Sequence, residues 1–164
     1  MNDANSATEP AGNAALNEPV ANEPEPARSE PSHAATENVA DPRSSLAAAA
    51  LLETYGERLG RGDYAAARRL WSDDGKSSGL SEEAFARRFE GYEELSVSVG
   101  APGRIEGAAG SSYVEIPIRF RASRDGAPFN ATGTAVLRRV NDVPGSTAEQ
   151  RQWRIYRLEL QPPL

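Results

Sequence analysis

Asp73 and Asp74 are adjacent carboxylates, the arrangement that holds a divalent cation or shares a proton between an acid and a base. They stand directly before Gly75 and Lys76, a context that equally describes a solvated turn. Asp63 is a lone carboxylate in front of Tyr64-Ala65-Ala66, where it has the place of a helix N-cap. Glu115 shares a strand face with Arg119, and a cross-strand ion pair is expected of it before catalysis. The one histidine, His33, lies in a Pro- and Ala-rich stretch, which removes an imidazole base or ligand from the rest of the chain. No cysteine exists to act as nucleophile, disulfide partner or metal ligand. G-x-S-x-G and P-loop patterns are absent, and Gly107 and Gly110 flank two alanines with no helix after them. No catalytic residue, metal ligand or cofactor is expected on these grounds.

Two other sets of side chains have binding chemistry. Tyr55, Tyr64, Trp71, Phe85, Phe89 and Tyr92 gather over a helical region, the usual signature of core. Should a cavity stay open among them, Tyr55, Trp71 and Phe89 are its expected walls, with the phenol O–H and indole N–H orienting a mostly apolar ligand. Arg119, Arg121, Arg138, Arg139, Arg154 and Arg157 fall in strand-like segments. They describe a basic sheet face, either solvated and paired with Glu115 and Glu159, or offered to an anionic partner, to the chain's own acidic tail, or with Tyr113 to a second copy in a homodimer.

These residues sit in a chain with an abrupt change near residue 44. Residues 1–44 carry eight acids against two bases, six of the 12 prolines, and hardly any apolar side chain other than alanine. Such a segment buries too little surface to offset its ordering entropy and is predicted to be a disordered, extended tail. The net charge of −6 for the whole chain resides there, so residues 45–164 are balanced, a poor basis for binding nucleic acid. Met1 leads directly into polar sequence, and the longest apolar run, Leu46 to Leu52, is too short for a membrane span. The layout of spacer plus small domain resembles bacterial surface lipoproteins, although no lipobox is present. That resemblance implies a periplasmic or envelope location and a membrane link only through a lipid anchor.

Residues 45–164 form one predicted domain. Leu51, Leu52, Tyr55 and Leu59 recur at helical spacing before Gly60 and Gly62. Asp63 opens a second, short helix with Tyr64, Ala67, Leu70 and Trp71 inward, and 72–79 reads as a loop. Ser81 caps a third helix with Glu82 and Glu83 in its first turn, Arg87 and Arg88 in its last, and Leu80 and Phe85 placed as a hydrophobic staple. From Tyr92 the period becomes two: Leu95 to Val99, a short strand at 104–107, the alternating strand Ser112 to Arg121, a hairpin turn at Asp125-Gly126 into Phe129–Val140, and a last strand from Gln152 to Leu160. Pro117 requires an edge, a bulge or an amide facing away from a ladder.

Helices followed by strands give an α+β class. With the second helix reading RGDYAAARRLW and the terminal strand WRIYRLEL, residues 45–161 resemble the nuclear transport factor 2-like (NTF2-like, cystatin-like cone) superfamily. The resemblance implies three N-terminal helices packed in a curved antiparallel sheet with a pocket at the open end. Enzymes of that superfamily place an Asp or His base in the pocket; this chain offers no convincing one. The expected role is a non-catalytic ligand-binding or protein-interaction domain on a tether, taking a small apolar molecule or another protein. A small isomerase, cyclase or dehydratase using a pocket carboxylate, and a structural dimerisation module, are the competing readings.

Overall fold

The computed structural model describes residues 41–164, so the predicted disorder of the tail concerns residues that lie, up to 40, outside the described ones. The order of elements is α1 (Ser45–Gly60), α2 (Tyr64–Arg68), a 3-10 turn (Lys76–Ser78), α3 (Glu82–Arg88), β1 (Tyr92–Val99), β2 (Glu106–Ala108), β3 (Ser111–Arg124), β4 (Ala127–Val140) and β5 (Arg154–Gln161). This is the expected α+β sequence of helices and then an antiparallel sheet. Among the described residues no helix is long and apolar enough to cross a membrane.

The folded part starts before the expected boundary. Asp41 accepts from the backbone N–H of Arg43 at 2.9 Å, and Ser44, only 7% exposed, caps α1 by accepting from Ala47 N at 3.1 Å. A cap buried against the domain cannot belong to a solvated tail. The other caps follow the sequence. Asp63 Oδ1 accepts from Ala66 N and Ser81 Oγ from Ala84 N, each at 3.2 Å. Gly91, at φ 78°, takes the left-handed conformation that lets the chain leave α3.

The sheet runs β1-β3-β4-β5, with β2 also pairing β3 beyond the end of β1. β3 and β4 make a 14-pair ladder, from Ser111↔Val140 to Arg124↔Ala127. Asp125 and Gly126, at φ 53° and 77°, close it with positive φ at both central turn positions. Pro117 fits because its carbonyl accepts from Gly100 N at 2.8 Å, in the gap between β1 and β2. Its nitrogen points to the same side, away from β4, so the β3–β4 ladder loses no hydrogen bond.

Alternation on β3 buries Val114, Ile116, Ile118 and Phe120 under α1, whose Ala48, Leu52, Tyr55 and Leu59 are at most 2% exposed. Bulges between Glu93 and Ser96 and between Val136 and Leu137 interrupt the ladders of the two outer strands and re-aim the side chains on either side. The segment after α2 joins the free edge of β5: Ile155 N donates to Leu70 O at 2.9 Å and Ser72 N to Ile155 O at 2.8 Å. That clip draws Trp71 inward and brings α2, α3 and β5 around one space.

Candidate functional site

Tyr55, Trp71 and Phe89, expected to wall a cavity if one remained, line the same space of about 100 Å³, together with Phe85, Leu158 and Leu160. Tyr55 comes from the middle of α1, and Trp71 is fixed by the Leu70–Ile155 clip. Phe85 and Phe89 are the i, i+4 pair of α3 and its C-cap. The rings meet at their edges: Tyr55 and Trp71 lie 6.4 Å apart at 74°, Trp71 and Phe85 6.5 Å apart at 80°. Tyr64, on the far side of Phe89, stacks on it at 5.5 Å and does not line the cavity.

The polar groups are few. The Trp71 indole N–H is buried and makes no hydrogen bond of regular geometry, the one such side-chain atom among the described residues, although it lies near enough to the Tyr55 hydroxyl to act on it. Burial pushes the Tyr55 hydroxyl well above the ordinary tyrosine range, while the Trp71 N–H and the Arg88 guanidinium act in the opposite sense. Arg88, exposed at the end of α3, and Ser78 complete the polar lining. Leu80, Pro163 and Leu164 border the same space. No Asp, Glu or His is among the lining residues.

The carboxylates with other candidate roles lie elsewhere. Asp63 accepts from Arg58 at 2.9 Å as well as from the α2 backbone, and these bonds hold its carboxyl below the usual range. Asp73 and Asp74 occupy an exposed turn at φ 55° and 56°, with Asp73 accepting from Ser77 Oγ at 3.3 Å. Among the described residues no three metal-binding side chains converge.

The cross-strand ion pair expected of Glu115 does not form: across β4 it faces Val136, and among the described residues no arginine pairs with it. Glu159 pairs instead with Arg157 at 3.3 Å. The arginines also do not form one face. Arg119, Arg121 and Arg157 are exposed, whereas Arg139 is 8% exposed, with its guanidinium 5.9 Å from the Trp153 ring. The odd positions of β4, Ala131, Ala135 and Leu137, run inward, and Arg139 continues that row.

Leu158 and Leu160 were not anticipated as walls. Their i, i+2 spacing on β5 was visible, but only the sheet's position against α3 turns that face toward the cavity.

No family model and no curated protein matches the chain. A solved structure does. The chain is similar to a nuclear transport factor 2 (NTF2-like) superfamily protein from Salmonella enterica serovar Typhimurium, at 15% identity and a TM-score of 0.36, over 69% of this chain and 94% of that one.

Proposed function

We propose that the domain is a non-catalytic binding module of NTF2-like type. Its cavity takes the small apolar end of a molecule that also carries a hydrogen-bond acceptor. The observation that carries this reading is the buried N–H of Trp71, which makes no hydrogen bond of regular geometry and meets only the Tyr55 hydroxyl, in an otherwise aromatic and aliphatic wall. A buried donor without an acceptor costs about 1–3 kcal/mol, and a ligand carbonyl or ether oxygen would recover it. A space of about 100 Å³ suits a branched aliphatic group. It is smaller than the roughly 150 Å³ that admits benzene. The lining offers no Asp, Glu or His side chain to transfer a proton, which favours binding over isomerase- or dehydratase-type turnover.

Isobutyramide combines a branched hydrocarbon with a carbonyl acceptor and serves as the probe. Six heavy atoms at half the best ligand efficiency give a Kd near 1 mM, on the order of −4 kcal/mol. In ¹H–¹⁵N spectra of the full chain, saturable movement of the Trp71 indole signal is expected, with the Trp153 indole unmoved. Leu158→Trp, which fills the space, should abolish the response. An unmoved Trp71 signal at tens of millimolar probe, or an equal response in the filled variant, overturns the reading.

A further inference from the structure

A second cavity, of about 200 Å³, lies where β4 ends, β5 begins and the turn after α2 passes the sheet edge. Its walls include Arg138, Arg139 and Arg154, with Ser72, Gln150 and Gln152. Asp73 is the only carboxylate residue on the wall, so the cavity carries a surplus of two positive charges in a domain that is otherwise balanced.

The three guanidiniums are poorly compensated. Arg138 and Arg154 are direct register partners across β4 and β5, a like-charge placement that is unfavourable unless something negative comes between them. Arg138 spends Nε and Nη2 on one hydroxyl, Ser111 Oγ, at 3.2 and 3.1 Å, and meets no carboxylate. Arg154 donates to Trp153 O at 3.0 Å and Gln152 Oε1 at 3.1 Å, and its nearest acid is the exposed Glu149 at 3.9 Å. Arg139 donates from Nε to Arg151 O at 3.1 Å, which leaves both its terminal nitrogens without a protein acceptor among the described residues. It is held mostly out of water by Trp153, and burial together with the nearby Arg43 lowers its pKa against the opposing pull of Asp41 and Asp142. Buried and half-buried guanidiniums in folded proteins normally face acids or anions, because desolvating an unpaired charge is expensive.

We propose that Arg138, Arg139 and Arg154 form a binding site for an oxyanion, a phosphate or carboxylate group of a small solute. Arg138 and Arg154 face one side of the β4–β5 pair and Arg139 the other, at the strand end that borders the cavity. Arg138 Nη1, the Nη groups of Arg139 and the remaining N–H groups of Arg154 are the donors left for an oxyanion. The Ser72 hydroxyl and the side-chain amides of Gln150 and Gln152 complete a polar lining that has no apolar counterpart in the first cavity. The site is independent of the aromatic cavity, so neither proposal stands or falls with the other.

The test is a ¹H–¹⁵N titration of the full chain with inorganic phosphate and, separately, succinate, at constant ionic strength held with chloride. Saturable shifts are expected at residues 72–73, 138–140 and 150–154. Saturation by phosphate alone or by succinate alone assigns the class of oxyanion. Arg138→Gln and Arg154→Gln should each weaken binding by roughly tenfold, the loss of one charge-assisted pair. Arg154→Lys, which keeps the charge but not the fork, should fall between them and the wild type, and Arg121→Gln on the exposed face should bind normally. Comparable shifts around Arg119, Arg121 and Arg157, no saturation with either anion, or unchanged binding in both glutamine variants overturns the proposal.

Discussion

The indole N–H of Trp153, just before β5, donates at 3.0 Å to the carbonyl of Ser44, the N-cap of α1. The two residues are 109 positions apart and both buried, so this bond closes the described fold near its two ends. It holds the first turn of α1 against the sheet while Ser44 Oγ serves the helix itself. Trp153→Phe keeps most of the apolar contact and removes the donor. The expected cost is about 1–2 kcal/mol, one buried hydrogen bond plus some packing. Ser44→Ala should cost about 1 kcal/mol through the lost cap. Urea unfolding curves measure both, and either variant matching the wild type would show that the α1 start is held by other contacts.

Gly56 sets how closely α1 approaches β1. A Cβ at this position would stand 2.8 Å from Val97 Cβ, closer than real side-chain atoms pack. Gly56→Ala therefore gains helix propensity of about 1 kcal/mol but loses about 1–3 kcal/mol to overpacking, for a net fall in stability. Val97→Gly in the same chain removes the Cβ that is met at 2.8 Å and should relieve the clash, so the double variant should be more stable than the sum of the singles implies. Strict additivity in urea unfolding would mean that α1 shifts freely and the contact is not limiting.

The readable parts of the sequence were those governed by local rules. Ser81, Asp63, Gly91 and the Asp125-Gly126 turn each have one physical role, and each takes it. The alternation of Val114 to Phe120 fixed a buried face without reference to any other strand. Tyr55, Trp71 and Phe89 could be grouped because helical spacing puts large rings on one side of each helix. What sequence could not give was contact between elements. Arg139 reads as part of a basic sheet face because charge alone says nothing of its place in the inward row of β4, and Leu158 needs the position of α3 to become a wall. The cross-strand pair at Glu115 fails for a related reason: the register that sets Val136 opposite it depends on how β3 and β4 align, which charge on one strand does not specify.

Leu80 precedes the Ser81 cap and packs toward the core beside Phe85, the staple geometry that fixes how the chain enters α3. Its carbonyl also accepts from Arg68 Nε at 3.0 Å, tying the loop to α2. Leu80→Ala leaves that backbone bond in place and removes only the staple. A loss of about 1–2 kcal/mol is expected for this half-buried side chain. Amide exchange should quicken in Phe85–Phe89 before the β3–β4 ladder responds. Uniform acceleration across helix and sheet would mean that α3 does not open separately.

Tyr55 gives the fold a sensitivity to alkali. Its hydroxyl is buried, and that burial raises its pKa above the ordinary value of 10.0 despite the opposing influence of Trp71 and Arg88. Below pH 10.0 the folded and unfolded chains both keep the proton, and the stability linked to this group is fully present. Above it the unfolded chain releases a proton that the folded chain retains, so stability is lost at up to about 1.4 kcal/mol per pH unit until the folded group also ionises. Tyr55→Phe abolishes this term and leaves the other four tyrosines, 64, 92, 113 and 156, in place. Urea unfolding in steps from pH 8 to roughly pH 11 should therefore show the wild type falling faster than Tyr55→Phe by about one proton's slope. Absorbance near 295 nm should show one tyrosine fewer ionising while the wild type remains folded. Parallel stability curves for the two proteins would mean that the Tyr55 hydroxyl reaches water and that the cavity is wetter than its aromatic walls imply.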